Sequence, residues 1–210
     1  MSWKEFFKSS KTEIIITLIF LIVVLIVFSN FLEYVEERQG VSLPDPILNL
    51  FNPVDLTWLT FGLIYTSLII AIINFTKEPI KLLLAIQSYV LLLVFRLIVM
   101  YVTPLDAPVK LLSLNDPFVQ FFGSGKILTK DLFFSGHTAT LFLLFLIADK
   151  KFIKAFFLCS TLVIGVAVIL QHVHYSVDVL TAPFFAYTSY RIVCIINKNL
   201  TVNTAARRKD

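Results

Sequence analysis

Phe134-Ser135-Gly136-His137-Thr138-Ala139 stands where a polar stretch ends and a strongly apolar run, Leu141 to Ala148, begins. One apolar run later the chain returns with His172-Val173-His174-Tyr175-Ser176-Val177-Asp178, again at an apolar boundary. Each histidine therefore sits at the mouth of a block close to the ~20 residues that cross ~30 Å of hydrocarbon. Four further blocks of that kind lie outward along the chain. We place the spans at about 13–32, 56–75, 82–102, 132–148, 152–171 and 177–196. Composition agrees: 58% of the 210 residues are hydrophobic and the mean hydropathy is +0.85, more apolar surface than a soluble domain of this length can hide. The expected fold is all-α, a polytopic membrane protein of six transmembrane helices forming a single membrane domain over residues 1–210.

The N-terminal lysines Lys4, Lys8 and Lys11 ahead of Ile14 to Phe28 resemble the start of a signal peptide. No small-residue cleavage site follows, so an uncleaved first span is expected. Prolines 44, 46 and 53 break the loop after Glu33, Glu36 and Glu37, and the short turn Thr76 to Lys81 makes spans two and three antiparallel neighbours. Six spans put both termini on one side. Lys and Arg cluster at the N-terminus, the 76–81 and 149–154 turns and the tail Arg207-Arg208-Lys209. Across the membrane Arg38, Lys110, Lys126 and Lys130 are diluted among Glu and Asp. The positive-inside rule makes both termini cytoplasmic and puts His137 and His174 at one extracytoplasmic level. The net charge of +4 is scattered through loops and tail, which excludes a nucleic-acid footprint. Cys159 and Cys194 fall inside spans and read as small apolar residues.

His174 and Asp178 are four residues apart and share a helix face. A carboxylate there fixes the imidazole tautomer and leaves the other ring nitrogen free as a nucleophile. His137 supplies the complementary group, an acid for the leaving oxygen that later serves as base. Ser135 and Gly136 would present backbone N–H groups at a helix N-terminus, a cradle for phosphate, and glycine permits close approach. Arg96 lies inside the third span about two turns from its outer end, where a costly intramembrane cation calls for a cavity or partner. Its guanidinium suits phosphate oxygens. Three spans thus offer a phosphoryl-transfer site that calls for no metal and no cofactor.

These residues resemble the lipid phosphatase and phosphotransferase superfamily of type 2 phosphatidic acid phosphatases. Its K-x6-RP, PSGH and SR-x5-H-x3-D motifs align with Arg96-x6-Thr103-Pro104, Phe134 to His137 and Val168-x5-His174-x3-Asp178. The sphingomyelin synthase branch is more similar still. Arg96 with Met100-Tyr101-Val102-Thr103 looks like R-x3-MYVT, Asp131 with Ser135 to Thr138 like D-x3-SGHT, and His172 to Val179 like HEHYTIDV. Thr103 and Val168 replace two phosphatase arginines, which suits a phosphodiester better than a dianionic monoester. The resemblance, over about 95–180, implies a phospholipid headgroup donor, phosphocholine- or phosphoethanolamine-like, and a lipid alcohol such as ceramide as acceptor. It implies a phosphohistidine on His174, oriented by Asp178, with His137 as acid and base and Arg96, Ser135, Gly136, Asp131, Tyr101 and Tyr175 at the substrate. Water as acceptor, giving a lipid phosphatase or phospholipase-C-like hydrolase, is the alternative, and a non-enzymatic lipid transporter a distant one.

Plainer roles stand beside these. His172 is two residues from His174, points elsewhere, and reads as a supporting or interfacial group. Asp131 is equally a helix cap, Arg96 a possible interhelical hydrogen-bonder, and Tyr101 and Tyr175 fit an interfacial aromatic belt better than a substrate contact. Gly123-Ser124-Gly125-Lys126 lacks the G-x4-GK[ST] spacing and reads as a surface loop. The basic tail suits the anionic cytoplasmic leaflet. Short loops favour a bacterial inner membrane over a Golgi or plasma membrane; oligomeric state is not legible.

Overall fold

A computed structural model describes residues 3–112, 114 and 128–197. The stretch Asn115-Asp116-Pro117, the loop Gly123 to Lys126 and the tail Arg207 to Lys209 lie outside them. Among the described residues the fold is all-helical: α1 (Trp3–Glu37), α2 (Thr57–Phe75), α3 (Pro79–Val102), α4 (Gly136–Ile147), α5 (Lys151–Leu170) and α6 (Ser176–Ile196), with one 3-10 turn at Leu48–Leu50. Five of them, all but α4, are long and apolar enough to cross a membrane. Their exposed faces carry Ile19, Phe20, Ile69, Leu162, Leu180 and Phe184, as lipid-facing helices do. The chain is an integral membrane protein by this measure. Cys159 and Cys194 are free thiols.

Two helices differ from expectation. α1 begins ten residues before the predicted span and bends where Ser10 leaves helical φ/ψ, so its 35 residues form a lysine-bearing first segment and a long apolar one. α4 is only 12 residues, about 18 Å at 1.5 Å per residue. The predicted span began at 132, but Leu132 to Phe134 are not helical, and Phe133 has φ 40. The hydropathy of these residues is that of a span, while their backbone is that of a buried entry loop, which membrane depth tolerates only inside protein. α4 is accordingly buried on nearly every side. Ala139, Leu141, Leu143, Leu144 and Ile147 share a core with Leu92 of α3, Phe157, Ile164 and Val168 of α5, and Ala182 and Ala186 of α6. At Gly165 an added Cβ would fall 3.1 Å from Val179 Cγ1 and 3.8 Å from Thr138 Cγ2, so the bare glycine lets α4, α5 and α6 close up.

Specific contacts fix which helix ends meet. Trp3 Nε1 donates to Thr76 O (2.8 Å), and Lys81 pairs with Asp149 at the same end of the bundle. At the other end Arg38 donates to Met100 O and Tyr101 O, filling carbonyls left open by the last turn of α3. Val54 N–H donates to Leu170 O there, and Ser135 N–H to Asp178 O. The ends of α1, α3 and α5 and the starts of α2, α4 and α6 gather together. Because α4 starts late, its first turn meets α3 at Arg96, six residues before the end of that helix. The meeting point is sunk below the rim.

Candidate active site

Asp178 is the third residue of α6, and its carboxylate turns back toward the residues just before the helix. Oδ2 accepts from the backbone N–H of Tyr175 (3.1 Å) and lies 3.2 Å from His174 Nδ1. An acid in the first turn is favoured by the helix dipole, so folding of α6 itself positions the carboxylate. Asp178 is 0% exposed and its Oδ1 has no partner among the described residues. With Nδ1 facing the carboxylate, the proton belongs on Nδ1 and the Nε2 lone pair is the available one.

Asp45 sets the start of α6 from outside. Its Oδ2 accepts from Ser176 N–H (2.6 Å) and its Oδ1 from Ile47 N–H (2.9 Å). Burial pushes the Asp45 carboxyl up, but these amides outweigh it and hold it below the usual range. His172 closes α5. With φ 54 it occupies the left-handed position after the helix, donating from its N–H to Ile169 O (2.9 Å) while Val173 N–H reaches Val168 O (3.0 Å). That is a Schellman ending, where glycine is usual. The His172 ring packs edge-on to Phe51 (5.3 Å). Burial, then repulsion from Lys110, pushes its pKa down against an opposing pull from Asp45. His172 is thus a helix stop, a role its offset from His174 did not reveal.

His137 comes from the first turn of α4. Ser135 is the N-cap: its Oγ accepts from Thr138 N–H (3.4 Å) and contacts Thr138 Oγ1 (3.1 Å). Its own N–H donates to Asp178 O (3.0 Å), which staples the starts of α4 and α6 together. The rings of His137 and His174 lie 6.4 Å apart between centroids at 66°, and Phe61 of α2 meets the His137 ring at 6.2 Å. The two imidazoles are therefore near neighbours contributed by the starts of two different helices.

Arg96, 7% exposed, closes the constellation. A Cβ on Gly136 would lie 2.2 Å from Arg96 Nη1 and 2.6 Å from Cζ, so the guanidinium rests on the glycine backbone at the start of α4. Arg96 Nη2 pairs with Asp131 Oδ1, and the guanidinium carbon stands 5.1 Å from the Phe28 ring centre. Burial pushes the Asp131 carboxyl up, but the charge and hydrogen bond of Arg96, helped by His174 and His137, more than reverse it and hold it below the ordinary range. Those contributions place Asp131 within electrostatic reach of both histidines.

Several sequence expectations change. Asp131 does not cap α4, because Ser135 does, and the Ser135 amide is spent on Asp178 O rather than open to a phosphate. Gly136 lies directly under the Arg96 guanidinium. Tyr175, 2% exposed, belongs to no interfacial belt: its hydroxyl donates to Asp106 O (3.0 Å) and accepts from Leu43 N–H (3.2 Å), pinning two loops beside the site. Tyr101, 63% exposed on the last turn of α3, is not brought to the cluster. Sequence spacing missed Asp45, Phe61 and Phe28, which reach the site only through the tertiary fold. No curated protein and no solved structure matches the chain. Residues 130–195, the stretch that carries Asp131, both site histidines and Asp178, match the family model described as PAP2 superfamily C-terminal, which supports kinship with the phosphatidic acid phosphatase-like lipid phosphatases and phosphotransferases.

Proposed function

We propose that the protein is a lipid phosphotransferase that moves a phospholipid headgroup, phosphocholine- or phosphoethanolamine-like, to a lipid alcohol such as ceramide. One observation carries this: the His137 and His174 rings meet edge-on, 6.4 Å between centroids, with Asp178 on His174 Nδ1. His174 Nε2 attacks the donor phosphorus and forms an N–P bond. The bond from phosphorus to the diacylglycerol oxygen breaks, and that oxygen takes its proton from His137. The acceptor hydroxyl then gives its proton to His137 as its oxygen bonds to phosphorus and the N–P bond breaks. Arg96 and the Gly136 amide stabilise the phosphoryl oxygens, and Ser135 holds the cap on which His137 rides. Substrates enter from the bilayer at the extracytoplasmic face, and both termini of this single membrane domain are cytoplasmic. The setting we favour is a bacterial inner membrane.

The PAP2 match favours a second reading in which water replaces the alcohol and the same site hydrolyses lipid phosphate esters. Purified protein given labelled phospholipid, with and without ceramide, separates the two. Acceptor-dependent product is expected; headgroup release without acceptor establishes the hydrolase. His174→Ala should abolish turnover and the acid-labile phosphohistidine while the protein still purifies as a folded membrane species. Undiminished turnover refutes the assignment.

A further inference from the structure

We infer that Asp131 selects the donor by its headgroup, binding the ammonium of a zwitterionic phospholipid while Arg96 binds its phosphate. This rests on the function proposed above and assigns a specificity residue within the same site. Arg96 Nη2 engages only Asp131 Oδ1; Oδ2 has no hydrogen bond among the described residues, and the side chain is 29% exposed. The neighbouring charges are taken up elsewhere. Lys130 Nζ bonds to Asp106 (2.9 Å) and Arg38 O (2.7 Å), while Glu36 accepts from Thr129 N–H (2.8 Å) and Lys130 N–H (3.0 Å). Among the described residues that leaves the Arg96 guanidinium shared with Asp131, beside a second carboxylate, Asp178.

Such a set repels a dianionic phosphomonoester and gives an anionic diester with a neutral headgroup only one favourable contact. A headgroup carrying its own cation a few atoms from phosphorus meets both members of the pair. Its phosphate takes the guanidinium and its ammonium takes the Asp131 carboxylate, so both charges of the headgroup are matched. Asp131 follows Arg96 into this role because the two already share one contact and both lie within reach of the rings.

The test compares diacylglycerol release from phosphatidylethanolamine, phosphatidylcholine, phosphatidylglycerol and phosphatidic acid of matched chains, presented with ceramide as acceptor to the purified protein in nanodiscs. Wild type should favour the two amine-bearing donors over phosphatidylglycerol by about tenfold or more, as expected for a charge-assisted contact, with phosphatidic acid slowest. Asp131→Asn should collapse that ratio, and Asp131→Glu should restore most of it. Asp131→Asn leaves Arg96 without its partner and can fail to fold. Wild-type inhibition by soluble phosphoethanolamine against glycerol phosphate therefore gives a second readout, and the amine-bearing compound should compete at several-fold lower concentration. No diacylglycerol from any donor overturns the proposed function as a whole. Turnover indifferent to headgroup, or a ratio that survives Asp131→Asn, overturns this inference alone.

Discussion

Gly136 shows how closely the site is built. No left-handed backbone is demanded there; the glycine is required by what lies over it, since a Cβ would sit 2.2 Å from Arg96 Nη1 and 3.0 Å from Nη2. The guanidinium is held from three directions, by the start of α4, by Asp131 and by the Phe28 ring, so it has little room to retreat. Gly136→Ala should displace it, break the pair with Asp131 and lower turnover more than it lowers stability. Overpacking of this sort costs about 1–3 kcal/mol, or roughly 2–4 °C of Tm per kcal/mol in a chain of this size. Thermal unfolding in detergent alongside turnover checks it, and an alanine variant with full activity would place Arg96 elsewhere. Ser135, one residue earlier, was expected to offer an amide to phosphate and instead spends it on Asp178 O. A motif tells which residues gather, not which of their atoms are already engaged.

Among the elements, α6 carries the orienting carboxylate of the nucleophile candidate that immediately precedes it, and its first turn is aligned by a residue more than a hundred positions away. Asp45 Oδ2 on the Ser176 N–H, at 2.6 Å, takes a capping place that Tyr175 cannot fill with its side chain, because that hydroxyl is spent on Asp106 O and Leu43 N–H. Asp45→Ala should cost about 0.5–2 kcal/mol, the worth of a helix cap. It should lower activity by a larger factor, since His174 moves with the turn. The carboxyl is held below its usual range, so its contribution is present above about pH 4 and lost as pH falls through the lowered folded value. Unfolding midpoints of wild type and Asp45→Ala measured across that range should converge in acid; a constant gap would show that the carboxylate charge is not what the turn uses. Periodicity and length made α2, α3, α5 and α6 legible to within a few residues, because uninterrupted apolar runs have no other use at this length. The start of α4 was not legible: Leu132-Phe133-Phe134 is as apolar as the helix that follows, and only packing makes it a loop. Asp45, Phe28 and Phe61 were invisible for a different reason, as no local spacing links them to the histidines.

At the scale of the whole molecule, the site lies where helix ends alternate. The ends of α1, α3 and α5 meet the starts of α2, α4 and α6, and the opposite end holds Trp3 on Thr76 and Lys81 beside Asp149. Lysine is densest at that opposite end, in Lys4, Lys8, Lys11, Lys77, Lys150, Lys151 and Lys154, and by the positive-inside rule we propose that this end faces the cytoplasm. A lipid headgroup chemistry at the histidines is consequently expected on the outer leaflet. In a background with Cys159→Ala and Cys194→Ala, single cysteines introduced at Asn49 and at Lys77 report on the two ends. Intact cells treated with a membrane-impermeant maleimide should label Asn49→Cys and spare Lys77→Cys until the membrane is opened. The reverse pattern would turn the molecule over and move its donor lipids to the cytoplasmic leaflet. Equal labelling of both in intact cells would mean that the lysine density does not fix the orientation, and the outer-leaflet assignment would lose its support although the pocket geometry would stand.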